Sequence, residues 1–264
     1  MCLKRLFMSL AATVGLSLPA YAGVGPAHLL PYDRIDFYGD SITFLGMHDP
    51  HYNGWFNLFQ QQVGNTMPIT LFDSGVGGYT TTKGVQNFSR LVLSVHPSVV
   101  VIWLGINDID TFTDPHITQV NIETMTAMAL DAGVREVILV SPMGRFEKQD
   151  GGNSHDAAID SLAAFMFDIA ASDKSGRVFY MPMRAYFLNK EEAVNPDGNT
   201  GVLLLPDGLH PNGVGHQFID QAFLTEFGLM GGLGAGLGDG RVTQPSGSTA
   251  GSTTTLPSSG VRIE

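Results

Sequence analysis

Val99-Val100-Val101-Ile102-Trp103-Leu104 is an unbroken apolar run with β-branched side chains at its first four positions. A strand with one wet face alternates polar and apolar residues; this one does not. It is therefore expected to be covered on both faces, as the strands of a parallel sheet between helices are. Pro97 closes the segment before it, and Gly105 stands directly after it.

Outward from this run, strand and helix signals alternate along the chain. Ile35–Tyr38, Ile69–Phe72, Val137–Val140 and Val178–Tyr180 are the other strand candidates. Helical spacing of apolar residues covers Trp55–Val63, then about Thr81–Val95, Ile117–Asp131, Ser154–Ser172 and Val214–Phe227. Lys190–Gly201, rich in Asn, Pro and Gly, reads as a loop. Such alternation predicts an α/β fold: a doubly wound three-layer α/β/α domain on a five-stranded parallel sheet. Right-handed crossovers and the flavodoxin-like strand order 2-1-3-4-5 are the default for that pattern.

The two ends of the chain read differently. Residues 1–22 carry Lys4 and Arg5, then a short apolar run, then Ala20-Tyr21-Ala22. A charged start, an apolar middle and an Ala-x-Ala site are the marks of a cleaved export signal. The run is too short and small-residue-rich for a membrane span, and no later stretch is apolar enough to cross a bilayer. Export to the periplasm or beyond is expected, with the folded domain over residues 23–228. Residues 229–264 are dominated by Gly, Ala, Leu, Ser and Thr without periodicity, which predicts a disordered tail.

Composition excludes several function classes. The single cysteine, Cys2, leaves with the leader, so neither a disulfide nor thiolate chemistry nor a cysteine-based zinc site is expected. The full chain has a net charge of −11; removing Lys4 and Arg5 from its 14 basic residues leaves 12 against 25 acidic ones, hence −13. That surface repels phosphate backbones and anionic lipid, so no nucleic-acid partner is expected. His48, Asp49 and His51 crowd one loop without a complete ligand set, and no metal or other cofactor is expected.

Chemistry is concentrated just beyond the strand ends, where open α/β sheets hold ligands. Gly39-Asp40-Ser41-Ile42-Thr43 follows the first strand. By itself it is an ordinary turn sequence. A serine hydroxyl becomes a nucleophile only with a base, an orienter for that base and donors for the oxyanion. Pro206-Asp207-Gly208-Leu209-His210 supplies a carboxylate and an imidazole three residues apart. Asp207 can accept from His210 Nδ1, leaving Nε2 for the Ser41 proton. The same spacing also suits a helix cap or half a metal site. Glycines at Gly75, Gly77 and Gly78 let backbone N–H groups approach a ligand, and Asn107 carries an amide donor at the same edge. Asp40 and Asp108 read as backbone-binding residues. His155 and His216 read as surface or capping residues at helix starts. Tyr52, Trp55 and Tyr79 flank the expected crevice and are candidates to line an acyl or sugar pocket.

These blocks, in order and at natural spacing, resemble the SGNH hydrolase superfamily, the GDSL esterases and lipases, over about residues 33–228. The resemblance implies Ser41 as nucleophile and Asp207 and His210 as the rest of a triad. Its implied oxyanion donors are the Ser41 N–H, Gly78 and Asn107. The second block departs from the family pattern at Asp73 and Tyr79, where Asn and Asp are frequent, so Gly77 stays beside Gly78 as the backbone donor. The implied activity is hydrolysis of carboxylic esters through an acyl-enzyme, on a small-molecule, carbohydrate or lipid ester. Short acyl or acetyl groups fit best, since the chain lacks a long apolar lid insertion. The alternatives are a lipase, lysophospholipase or thioesterase, an acyltransferase using the same residues, or a surface binding module. Nothing in the sequence fixes an oligomeric state.

Overall fold

The computed structural model of the protein describes residues 28–147 and 155–229 of the 264. The expected leader and all of the expected tail except Leu229 lie outside the described residues.

Five parallel strands form one sheet in the order β2-β1-β3-β4-β5. They are β1 (Arg34–Gly39), β2 (Thr70–Asp73), β3 (Val99–Trp103), β4 (Glu136–Val140) and β5 (Val178–Met181). Among the described residues eight α-helices accompany them: α1 (Ser41–His48), α2 (Trp55–Gly64), α3 (Thr81–Leu91), α4 (Ile106–Asp110), α5 (Pro115–Asp131), α6 (Asp156–Ser172), α7 (Met183–Val194) and α8 (Gly213–Glu226). The three-layer arrangement matches the expectation from the sequence.

The apolar run at 99–104 is explained by two cores. Side chains on a strand alternate between faces. Val99, Val101 and Trp103 join Phe37, Trp55, Phe56, Phe59 and Phe223 on the face covered by α2, α7 and α8. Val100, Ile102 and Leu104 join Tyr38, Phe88, Ile122, Met125 and Met166 under α3, α5 and α6. Every residue of β3 and β4 is buried. The first core is aromatic: Phe37 meets the rings of Trp55, Phe56, Phe59 and Phe223 edge-on at 5.3–5.7 Å, and Trp55 stacks on Phe223 at 4.8 Å. Such pairs add about 0.5–1.5 kcal/mol each beyond area burial. Because β1, β2 and β3 run parallel, their carboxyl ends lie along one rim of the sheet.

Several helices depart from the sequence reading. α1 begins at the serine itself, ahead of the expected first helix, and α7 extends into the segment read as a loop from Lys190. Helix α3 stops at Leu91 and gives way to a single 3-10 turn, Leu93–Val95, rather than running unbroken to Val95.

Candidate active site

Ser41 is the first residue of α1, one residue beyond the end of β1 at Gly39. The turn between them is made by Asp40, whose Oδ1 accepts the Ile42 N–H at 2.9 Å and so caps the helix. Burial lifts the Asp40 carboxyl to about 7, against the lowering effect of that N–H bond. Glycine is required at position 39, since a Cβ there would meet Thr43 Oγ1 at 2.0 Å and the Trp103 carbonyl at 2.9 Å. The α1 backbone is held from below by Trp55, whose indole N–H donates to the Ile42 carbonyl at 3.0 Å.

His210 reaches Ser41 from 169 positions further along the chain. Its Nε2 is 2.8 Å from Ser41 Oγ, and its Nδ1 is 2.7 Å from Asp207 Oδ2. The second carboxylate oxygen, Asp207 Oδ1, accepts the N–H groups of Leu209 at 2.8 Å and His210 at 3.0 Å. Partial burial of Asp207 works to raise its pKa. The bonds from the imidazole and the two N–H groups outweigh it and hold the carboxyl below its ordinary value. The loop itself is closed by Leu205 N–H to the His210 carbonyl at 2.7 Å and Gly208 N–H to the Leu205 carbonyl at 2.8 Å. Asn212 then caps α8 by accepting from the N–H groups of Val214 and Gly215.

The donor residues come from the ends of β2 and β3. In the 73–79 loop the Gly75 N–H is spent on Asp73 and the Val76 N–H on the Gly39 carbonyl. Among the described residues, neither Gly77 nor Gly78 donates its N–H, and Gly78 has φ +71°. Both glycines therefore retain a donor. In α4, Asn107 donates one amide hydrogen to the Tyr79 carbonyl at 2.9 Å, which fixes the side chain and leaves its second amide hydrogen. The neighbouring Asp108 binds the Thr81 N–H at 2.8 Å and the hydroxyls of Thr81 and Thr118 at 2.5 and 3.2 Å. It ties the second loop to the third. Asp40 and Asp108 thus do the backbone work expected of them.

Two expectations are corrected. Trp55 is wholly buried in the aromatic core and lines no crevice. His216 is not a surface residue: it is fully buried, and the helix start it caps is that of α2, Nδ1 accepting the Trp55 backbone N–H at 3.2 Å and Nε2 lying 3.2 Å from Asp49 Oδ2. Burial lowers its pKa against the raising effect of Asp49. Tyr52 and Tyr79 are partly exposed, with Tyr52 packed over Gly213. His155 precedes α6, 3.5 Å from Asp110. Asp49 also accepts the N–H groups of His51 and Tyr52. Among the described residues no three His, Cys, Asp or Glu side chains gather as a metal set. Nor is any helix among them long and apolar enough to cross a membrane.

Sequence reasoning missed Arg145, Phe146 and Glu147, which follow β4 and hold the Asp207–His210 loop. No motif or periodicity marks them. A cavity of about 350 Å³ also opens between α4, α5 and α6, lined by Ile109, Phe112, Pro115, Ala158 and Leu162 among others.

No curated protein matches the chain. Solved structures similar in fold include an acetylxylan esterase from Geobacillus stearothermophilus, at 20% identity and TM-score 0.63, covering 75% of this chain and 95% of that one. A second acetyl xylan esterase matches at 24% identity and TM-score 0.65, over 73% and 98% of the two chains. An alpha/beta hydrolase enzyme from the metagenome of Lake Arreo, Spain, matches at 22% identity and TM-score 0.64, over 76% and 97%. The model of the GDSL-like lipase/acylhydrolase family matches residues 37–218, more than half of the chain. The match begins within β1 and ends within α8, enclosing every strand-end loop described above, and the chain therefore belongs to that family as a carboxylic ester hydrolase of SGNH type.

Proposed function

We propose that the protein is an exported serine esterase that removes short acyl groups, acetyl above all, from a carbohydrate or small-molecule ester. The observation that carries this reading is the continuous relay from Ser41 Oγ through His210 to Asp207, with both gaps under 3 Å. Ser41 Oγ attacks the ester carbonyl as His210 Nε2 takes its proton. Asp207 holds the imidazole with Nδ1–H toward the carboxylate and stabilises the imidazolium. The oxyanion is met by the N–H groups of Ser41 and Gly78, or Gly77, and by the Asn107 amide. Collapse breaks the ester bond, and His210 returns its proton to the leaving alcohol. A water, deprotonated by the same nitrogen, then attacks the acyl-enzyme and frees the acid and Ser41.

The preference for acetyl groups on carbohydrate is supported by the acetylxylan esterases among the similar folds and by the lack of a long apolar lid insertion. Export is supported by Lys4, Arg5, the apolar run and the Ala20-Tyr21-Ala22 site. Ser41→Ala tests the mechanism. Hydrolysis of p-nitrophenyl acetate should fall by roughly 10³-fold or more, and retention of the wild-type rate would remove the reading. An acyl-chain-length series run beside acetylated xylan tests the substrate class, and longer acyl chains turning over fastest would reject it. The N-terminal sequence of protein recovered outside the cytoplasm should start at Gly23.

A further inference from the structure

The loop carrying Asp207 and His210 is gripped from outside by three consecutive residues. Arg145 Nη1 donates to the Asp207 carbonyl at 2.5 Å. The Phe146 N–H donates to the Gly208 carbonyl at 2.6 Å. The Phe146 ring lies so close over Gly208 that a Cβ there would come within 2.1 Å of it. Phe146 holds φ +63° to make this contact, and the Arg145 guanidinium sits 4.6 Å from its ring centroid. The buried Glu147 carboxylate accepts the N–H groups of Val202 at 3.1 Å, of Leu203, and of Leu204 at 3.3 Å, fixing the strand of the loop that pairs with Pro211. Arg145 also faces back toward the donor side, with Nε 3.3 Å from Asp110 Oδ2, three residues beyond Asn107 in α4.

We infer that Arg145 is a positioning residue for the reaction: bridging Asp110 and the Asp207 carbonyl, it fixes His210 at hydrogen-bonding distance from Ser41 and locks that loop to the helix bearing Asn107. The inference rests on the Ser41–His210–Asp207 reading. The loop's own hydrogen bonds set its internal shape but not its placement over Ser41, which depends on outward carbonyls and N–H groups. Arg145 and Phe146 take the two carbonyls nearest the carboxylate, and Glu147 takes the amides. A planar guanidinium suits the task because it places its charge beside Asp110 while an Nη hydrogen is held toward the carbonyl.

The test is a double-mutant cycle on p-nitrophenyl acetate hydrolysis. Arg145→Met is expected to lower kcat by roughly 10- to 100-fold with KM within about twofold, the size of effect a displacement of about 1 Å produces. Arg145→Lys should recover part of that loss. In a His210→Ala background the same Arg145→Met change should alter the residual rate by less than about twofold, because the group it positions is gone. An unchanged kcat in Arg145→Met, or an equal loss in both backgrounds, overturns the inference. If Arg145→Met does not fold, Asp110→Asn carries the test. A smaller kcat loss that vanishes without His210 supports the role, and a wild-type kcat overturns it. Ser41→Ala separates the two levels. An active Ser41→Ala removes the serine mechanism itself, whereas an inactive one beside an unaffected Arg145→Met removes only the positioning role.

Discussion

His210 Nε2 stands 2.8 Å from Ser41 Oγ although 169 positions separate them in the chain. The contact is made by a short turn on one side and a closed loop on the other, each anchored to backbone. Asp207→Asn should preserve much of this geometry, since an amide oxygen still accepts from the Leu209 and His210 N–H groups. It removes the charge opposite the imidazole. The kcat for p-nitrophenyl acetate should fall by roughly 10²- to 10⁴-fold with KM little changed. Steady-state kinetics measures both, and a loss below about tenfold would assign Asp207 to the loop's structure alone.

Asn107→Ala removes the proposed side-chain oxyanion donor and leaves the Tyr79 carbonyl without its amide partner. The expected cost is roughly 10²- to 10³-fold in kcat. A second readout distinguishes transition-state stabilisation from substrate binding: KM should stay within about threefold. If KM rises and kcat holds, Asn107 binds the substrate and not the oxyanion.

Trp55→Phe keeps most of the aromatic packing and deletes the N–H that holds the Ile42 carbonyl at the start of α1. Within α1 that carbonyl keeps its helical partner, so loss of the second donor costs about 0.5–1.5 kcal/mol. The melting temperature should fall by several degrees, and kcat by a few-fold, because Ser41 rides on the first turn of that helix. Calorimetry and kinetics on one preparation check both, and an unaltered melting temperature contradicts the account.

Stability should decline as pH rises through neutrality. Burial lifts the Asp36 carboxyl to about 8, against a bond from Ser74 and helped by the nearby Asp73 charge. Burial likewise lifts Asp73 to about 7, against the Gly75 N–H. An unfolded aspartate titrates near 3.8. Between these values the folded chain holds protons that the unfolded chain has released, so the stability these carboxyls allow is full below about pH 4 and is lost as pH rises toward 8. Asp36→Asn, neutral at every pH, should raise the melting temperature at pH 8 and change it far less at pH 5. Equal effects at the two pH values would contradict the assignment.

The sheet was legible in the sequence because β3 and β4 are wrapped on both faces, and only continuous apolar runs survive there. The strand-end blocks were legible because their chemistry needs particular residue types close together in the chain. What was not legible depends on distant partners. Trp55 is an aromatic residue near a crevice until Ile42 and Phe223 are seen to enclose it. His216 becomes a core histidine only through Asp49, 167 positions away. Helix α1 was hidden because its start is set by the Asp40 cap rather than by apolar spacing. Within α7, buried Arg184 and Glu191 interrupt the periodicity that Met183 and Phe187 would otherwise display.

The packing of α8 against α2 joins the last described helix to one of the first described. The Ser41 hydroxyl is therefore synthesised 169 positions before the imidazole that activates it in the proposed mechanism. On that mechanism, a nascent chain that has not yet delivered residues 207–226 carries only an unactivated alcohol at position 41. On the same mechanism, acyl transfer to that oxygen waits until this segment has been made and has folded, so premature acylation during biogenesis is suppressed by the order of manufacture.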